Sequence, residues 1–126
     1  MQGSHLKLDC YGCAREKLAD TAAIYRLLEA FPEKLGLAKN DSPAVFEYPA
    51  EDSREAGVSG VIIFAETHLA LHTFPAKAEV SVNIFSRNGF DTSAASQSLI
   101  SFFGAAEHQI SETSREQGEL NAFQIP

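Results

Sequence analysis

The sequence predicts an α+β protein, a two-layer α/β sandwich whose largely antiparallel sheet is covered by helices on one face, in the order β-α-β-β-β-α-β. Three observations predict it. The chain opens with apolar and polar residues in strict alternation, two later stretches carry apolar residues at helical spacing, and the middle third is dense in β-prone residues interrupted only by short turn signals.

In chain order, Leu6, Leu8 and Cys10 alternate with Lys7 and Asp9, so His5 to Tyr11 reads as a strand with one buried face. From about Arg15 the period changes. Leu18, Ala22, Tyr25, Leu28 and Phe31 recur at helical spacing, and Pro32 and Gly36 are expected to stop the helix. Asn40 to Pro43 is loop chemistry, Val45 to Tyr48 a short β-prone run, and Glu51 to Glu55 a charged stretch that reads as a mobile surface loop. Val58 to Ala65, Leu69 to Phe74 and Val80 to Phe85 read as neighbouring antiparallel strands, with a turn at Pro75. Asp91 or Thr92 caps a helix striped by Ala95, Leu99, Phe102 and Phe103, and Gly104 suits its C-terminal end. His108 to Thr113 supplies a last strand.

A chain of 126 residues matches one domain, taken as residues 1–126, with a core of about two layers. Apolar residues at 44% and charged residues at 21% are the balance of a globular protein. The longest apolar run, Val61 to Ala65, is too short to span a bilayer and no signal peptide opens the chain, so the default location is the cytoplasm, with no membrane partner. A net charge of -7 opposes binding to phosphate backbones, so no nucleic-acid partner is expected. Cys10 and Cys13 form an isolated C-x-x-C. Zinc needs four ligands and there is no second pair, so they read as one core thiol and one loop thiol.

The chemistry concentrates in Gly57-Val58-Ser59-Gly60-Val61 and in Ala65-Glu66-Thr67-His68-Leu69-Ala70-Leu71-His72-Thr73-Phe74-Pro75. In an extended chain without a bulge, Glu66, His68, His72 and Phe74 share a face. The residues alone leave three readings open. The histidines lie on a solvated strand face; they ligate a metal, although two histidines four apart on a strand are roughly 13 Å apart and cannot share one ion, so no metal is expected; or the cluster is a reaction site.

The third reading has a family behind it. The segment resembles the processing site of the prokaryotic S-adenosylmethionine decarboxylase proenzymes, with G-V-S-G-V followed by E-S-H-L-x-x-H-T-W-P-E and a strand ending F-T-C-G. Here the first block is intact, the second reads E-T-H-L-A-L-H-T-F-P-A, and the third is Asn83-Ile84-Phe85-Ser86-Arg87-Asn88-Gly89. The opening strand and Gly12-Cys13 also look like the family's start.

The resemblance implies a chain that makes its own cofactor. The hydroxyl at Thr67 attacks the carbonyl of Glu66 to give an ester, and elimination then splits the chain into residues 1–66 and 67–126. Ser59 and His72 assist, His72 as the base that takes the α-proton. The ketoacyl group left on Thr67 is of the pyruvoyl type, 2-oxobutanoyl with threonine as its source. It takes the amine of the small-molecule substrate, S-adenosylmethionine, as a Schiff base and acts as an electron sink for decarboxylation, giving the aminopropyl donor for spermidine. Phe74, in place of tryptophan, stacks on the adenine.

The sequence departs from the family at three further points. Thr67 adds a methyl that stiffens the nucleophile, Arg87 stands where the proton-donating cysteine is expected, and Ala76 replaces the glutamate that holds the ribose. Two alternatives follow from these departures: an uncleaved relative that binds a ligand or regulates a partner, and a decarboxylase of another amino acid. The resemblance also implies a homodimer, and a sheet with helices on one face leaves a surface for it.

Overall fold

The structure, a computed structural model, describes residues 2–37, 42–49, 56–64 and 66–116. The charged loop expected at 51–55 lies outside them, as do Asn40, Asp41 and Ala65.

Six strands form one antiparallel sheet. They are β1 (Gln2–Tyr11), β2 (Ala44–Tyr48), β3 (Gly57–Phe64), β4 (Thr67–Phe74), β5 (Glu79–Ser86) and β6 (Glu107–Glu116), in the spatial order β2-β3-β4-β5-β1-β6. Helices α1 (Arg15–Leu18), α2 (Thr21–Lys34) and α3 (Thr92–Phe103) complete the fold. The α+β architecture read from the sequence is the one observed. The run at Val45 to Tyr48 is a full edge strand paired to β3, one strand more than the expected order contains.

The expected long first helix is two. Asp20 breaks it, because its carboxylate accepts the Ala23 N–H at 3.0 Å and starts a new helix there. Pro32 does not stop α2 but sits in its last turn. So close to the end the ring costs only a bond to the carbonyl of Leu28, and Gly36, at φ 71°, ends the helix instead. At the far end Asp91 caps α3 through the Ala94 N–H, and Gly104 closes it at φ 61°, both as the sequence indicates.

Alternation sets the core. Leu6, Leu8 and Cys10 on β1, Leu69 and Leu71 on β4, and Val80, Val82 and Ile84 on β5 are buried against Leu28 and Phe31 of α2 and Leu99 and Phe103 of α3. The intervening residues of the same strands, among them His68 and His72, lie on the opposite face, which carries no helix among the described residues. Along the β2 and β3 edge of that open face, Phe46 and Ile63 remain 54% and 55% exposed.

Candidate functional site

The two glycines of Gly57-Val58-Ser59-Gly60 are explained by packing. A Cβ on Gly60 would come within 2.7 Å of Leu28 Cδ1 on α2, and one on Gly57 would collide with the Thr73 carbonyl oxygen. The same stretch is anchored by a buried hydroxyl. Thr73 Oγ1 accepts the Val58 N–H at 2.9 Å and donates to the Leu18 carbonyl at 2.8 Å, tying β3 and β4 to α1. With the backbone fixed, Ser59 on β3 stands directly opposite His72 on β4, and Ser59 Oγ lies 2.6 Å from His72 Nδ1. When the ring carries its proton on Nε2, the hydroxyl donates and the imidazole accepts. Ser59 is buried and His72 exposed, so this pair lies on the open face with the ring in solvent.

A second cluster surrounds the peptide bond between Glu66 and Thr67. Glu66 turns into β4 with φ 63°, a left-handed conformation that costs an L-residue roughly 1–2 kcal/mol. Its carbonyl oxygen accepts the backbone N–H of Arg87 at 3.3 Å, and its side-chain Oε1 accepts from Asn88 Nδ2 at 3.2 Å. Thr67, 2% exposed, is the first residue of β4 and pairs with Ser86 at the end of β5. Thr67 Oγ1 donates to Ser86 Oγ at 2.8 Å, and the Asn88 N–H reaches the same Ser86 oxygen at 3.3 Å. A strained peptide, a hydroxyl one residue on and an N–H on the carbonyl oxygen thus occur together. That combination suits nucleophilic attack with charge developing on the oxygen.

The expected residues therefore fall into two groups. Glu66 and Thr67 are together, Ser59 and His72 are together, and the groups are apart. Five residues along β4 separate Thr67 from His72 by about 16 Å, and the odd interval puts the threonine on the helix side and the histidine on the open side. The shared face expected for Glu66, His68, His72 and Phe74 holds for the last three, whereas Glu66 lies in the turn before the strand. His68 packs beside Phe85, ring centroids 5.7 Å apart, and half-buried Phe74 ends β4 before the turn that holds exposed Ala76.

Sequence reasoning passed over Ser86 and Asn88. The only signal was their place in the block Ser86-Arg87-Asn88-Gly89, and their relevance appears when β5 is set in register with β4. The cysteines need a correction, since Cys13, expected as a loop thiol, is buried like Cys10. Its N–H bonds to the Ala78 carbonyl, which draws the loop after β1 onto the core. Burial, with Cys13 and Asp9 nearby, pushes the Cys10 thiol up to about 12, and burial followed by the charge of Glu79 raises Cys13 as well. Among the described residues no three His, Cys, Asp or Glu side chains are grouped to hold a metal.

An antiparallel sheet backed by helices, with Thr67 behind a left-handed Glu66 at the head of a central strand, places the chain in the α+β class. The fold is shared with the crystal structure of the adenosylmethionine decarboxylase from Aquifex aeolicus, at a TM-score of 0.68 and 24% identity, over 90% of this chain and 88% of that one. The family model for S-adenosylmethionine decarboxylase matches residues 4–116, and the chain belongs to that family. Among its relatives, the S-adenosylmethionine decarboxylase proenzyme of Anoxybacillus flavithermus is 25% identical over 97% of this chain and 94% of its own length. The proenzyme of Geobacillus kaustophilus is 26% identical over 90% and 86%, and that of Thermoplasma acidophilum 32% identical over 66% and 59%.

Proposed function

We propose that this chain is a self-processing ketoacyl decarboxylase acting on S-adenosylmethionine, and that it cleaves itself between Glu66 and Thr67. The observation that carries the proposal is the left-handed Glu66, whose carbonyl oxygen is held by the Arg87 N–H next to the Thr67 hydroxyl. Attack of Thr67 Oγ1 on the Glu66 carbonyl carbon closes a five-membered ring, and the Arg87 N–H opposes the charge that develops on the oxygen. Opening of the ring breaks the carbon–nitrogen bond and leaves an ester. Removal of the Thr67 α-proton then breaks the bond between Cβ and Oγ1. Residues 1–66 depart with the Glu66 carboxylate, and water releases ammonia to leave a 2-oxobutanoyl group on the second piece. Bound to substrate, that group supplies the electron sink for loss of carbon dioxide.

Ser59 and His72 are the acid–base pair in this reading. The pair lies too far from Thr67 of its own chain to take the α-proton, by the strand geometry of β4. A second copy laid on the open face supplies it, and the exposed Phe46, Tyr48 and Ile63 beside the pair favour that contact. Phe74, on the same face, stacks on the substrate's adenine. The product feeds spermidine synthesis, and the processed protein is a homodimer of one cleaved domain per copy.

Intact-mass measurement tests the first step. Two pieces, 1–66 and 67–126, with the second short of ammonia and blocked by a ketone, support the reading; carbon dioxide released from carboxyl-labelled S-adenosylmethionine then identifies the substrate, and release only from another amino acid redirects it. A second reading, an uncleaved ligand-binding or regulatory relative, is favoured by Arg87 and Ala76, neither of which supplies the acid or the ribose contact that the family uses. A single full-length mass after prolonged incubation supports that second reading.

A further inference from the structure

Resting on the self-cleavage reading, we propose that Ser86 and Asn88 form a clamp that sets how readily the Glu66–Thr67 bond rearranges, Ser86 by aiming the nucleophile and Asn88 by holding the glutamate. The Thr67 hydroxyl donates to Ser86 Oγ at 2.8 Å, and the two residues are 2% and 1% exposed, so water competes little for that bond. Donation to Ser86 fixes the hydroxyl hydrogen and with it the direction of Thr67 Oγ1 relative to the carbonyl carbon. For a β-branched residue, whose χ1 has few wells, the choice of well decides whether the oxygen reaches that carbon.

Asn88 acts on the other side of the same bond. Its side-chain nitrogen donates to Glu66 Oε1 at 3.2 Å while its backbone N–H donates to Ser86 Oγ at 3.3 Å, so one residue links acyl donor and nucleophile. By tethering the Glu66 side chain it favours the left-handed φ of 63° that the free residue would leave. The rearrangement balances within the chain. The bond from Glu66 carbon to Thr67 nitrogen breaks, the bond from that carbon to Thr67 Oγ1 forms, and the hydroxyl proton ends on the freed Thr67 nitrogen.

The test follows full-length chain by intact mass, with and without hydroxylamine, for wild type, Ser86→Ala, Ser86→Thr and Asn88→Ala. Hydroxylamine cuts the ester and leaves a Glu66 hydroxamate, so its product reports ester formation separately from elimination. Ser86→Ala is expected to lower the hydroxamate yield about tenfold and Asn88→Ala roughly fivefold, the effect of one hydrogen bond on a reaction rate. Ser86→Thr, which restores the acceptor, is expected to return the yield to within about threefold of wild type. A merely structural role would lower the melting temperature without moving the yield from the folded protein. Unchanged yields in Ser86→Ala and Asn88→Ala beside a reactive wild type overturn the clamp alone, and so does failure of Ser86→Thr to restore reaction. Should Ser86→Ala not fold, exposed Asn88→Ala decides. Wild-type chain that yields neither hydroxamate nor cleavage overturns the self-cleavage reading, and the clamp with it.

Discussion

At position 67 a single methyl group separates threonine from serine. Thr67→Ser relieves the χ1 restriction and the crowding at the Glu66 carbonyl, and is expected to speed cleavage by about tenfold, read as the half-time for loss of full-length mass. Thr67→Ala, with no hydroxyl, is expected to remain intact indefinitely. Thr67 was legible as a candidate from its neighbours along the chain, but its orientation was not. Alternation counted from His68 and His72 puts Thr67 on the helix side, and the partner waiting there, Ser86, comes from another strand. A contact between residues 19 apart has no local signature.

The two thiols make a second expectation at this scale. Neutral thiols are the form that suits their burial. Native protein is expected to resist alkylation at pH 8, whereas unfolded chain reacts at both sites, a difference that mass spectrometry counts directly. Burial, ahead of the nearby Cys13 and Asp9, pushes the Cys10 thiol from the ordinary 9.0 up to about 12 in the folded chain. The unfolded chain therefore holds fewer protons between those values, and stability is lost as pH rises through that window. Denaturant melts at pH 8 and pH 10.5 are expected to show a lower midpoint at the higher pH.

At the level of elements, Gly60 is where β3 meets α2. Adding a methyl there requires Leu28 to move, since its Cδ1 lies 2.7 Å from the Cβ position. Gly60→Ala is expected to destabilise the protein by about 1–3 kcal/mol, measured by urea unfolding, as overpacking of a filled core does. The strands were legible where one face is buried, as at Leu6, Leu8 and Cys10. The helix break at Asp20 was not, because apolar spacing continues through it and only the cap to Ala23 reveals it. Strand β2 was less legible for a related reason. An edge strand shows little alternation, and its residues from Phe46 to Tyr48 are exposed. For the site the same limit applied: the blocks around Ser59 and Thr67 were visible as blocks, while their separation into two clusters depended on face and register.

Over the whole molecule, the face without helices carries His72, Phe74, Phe46 and Ile63. Among the described residues no helix is long and apolar enough to cross a membrane. If a second copy covers that face and lends its base, co-expressed Thr67→Ala and His72→Ala chains are expected to form mixed pairs in which the His72→Ala chain is cut, while either variant alone stays whole. Cutting of the His72→Ala protein by itself would show that the histidine is not the base.

The strand order has one more consequence. Residues before Thr67 contribute β1, β2 and β3, and those after it β4, β5 and β6, yet β1 lies between β5 and β6. A nick at Glu66 would therefore leave the two polypeptides interlaced along three hydrogen-bonded seams, β3 with β4, β5 with β1 and β1 with β6. The severed halves would migrate together through a sizing column and part only in denaturant, so a native assay alone would miss a cut at that bond.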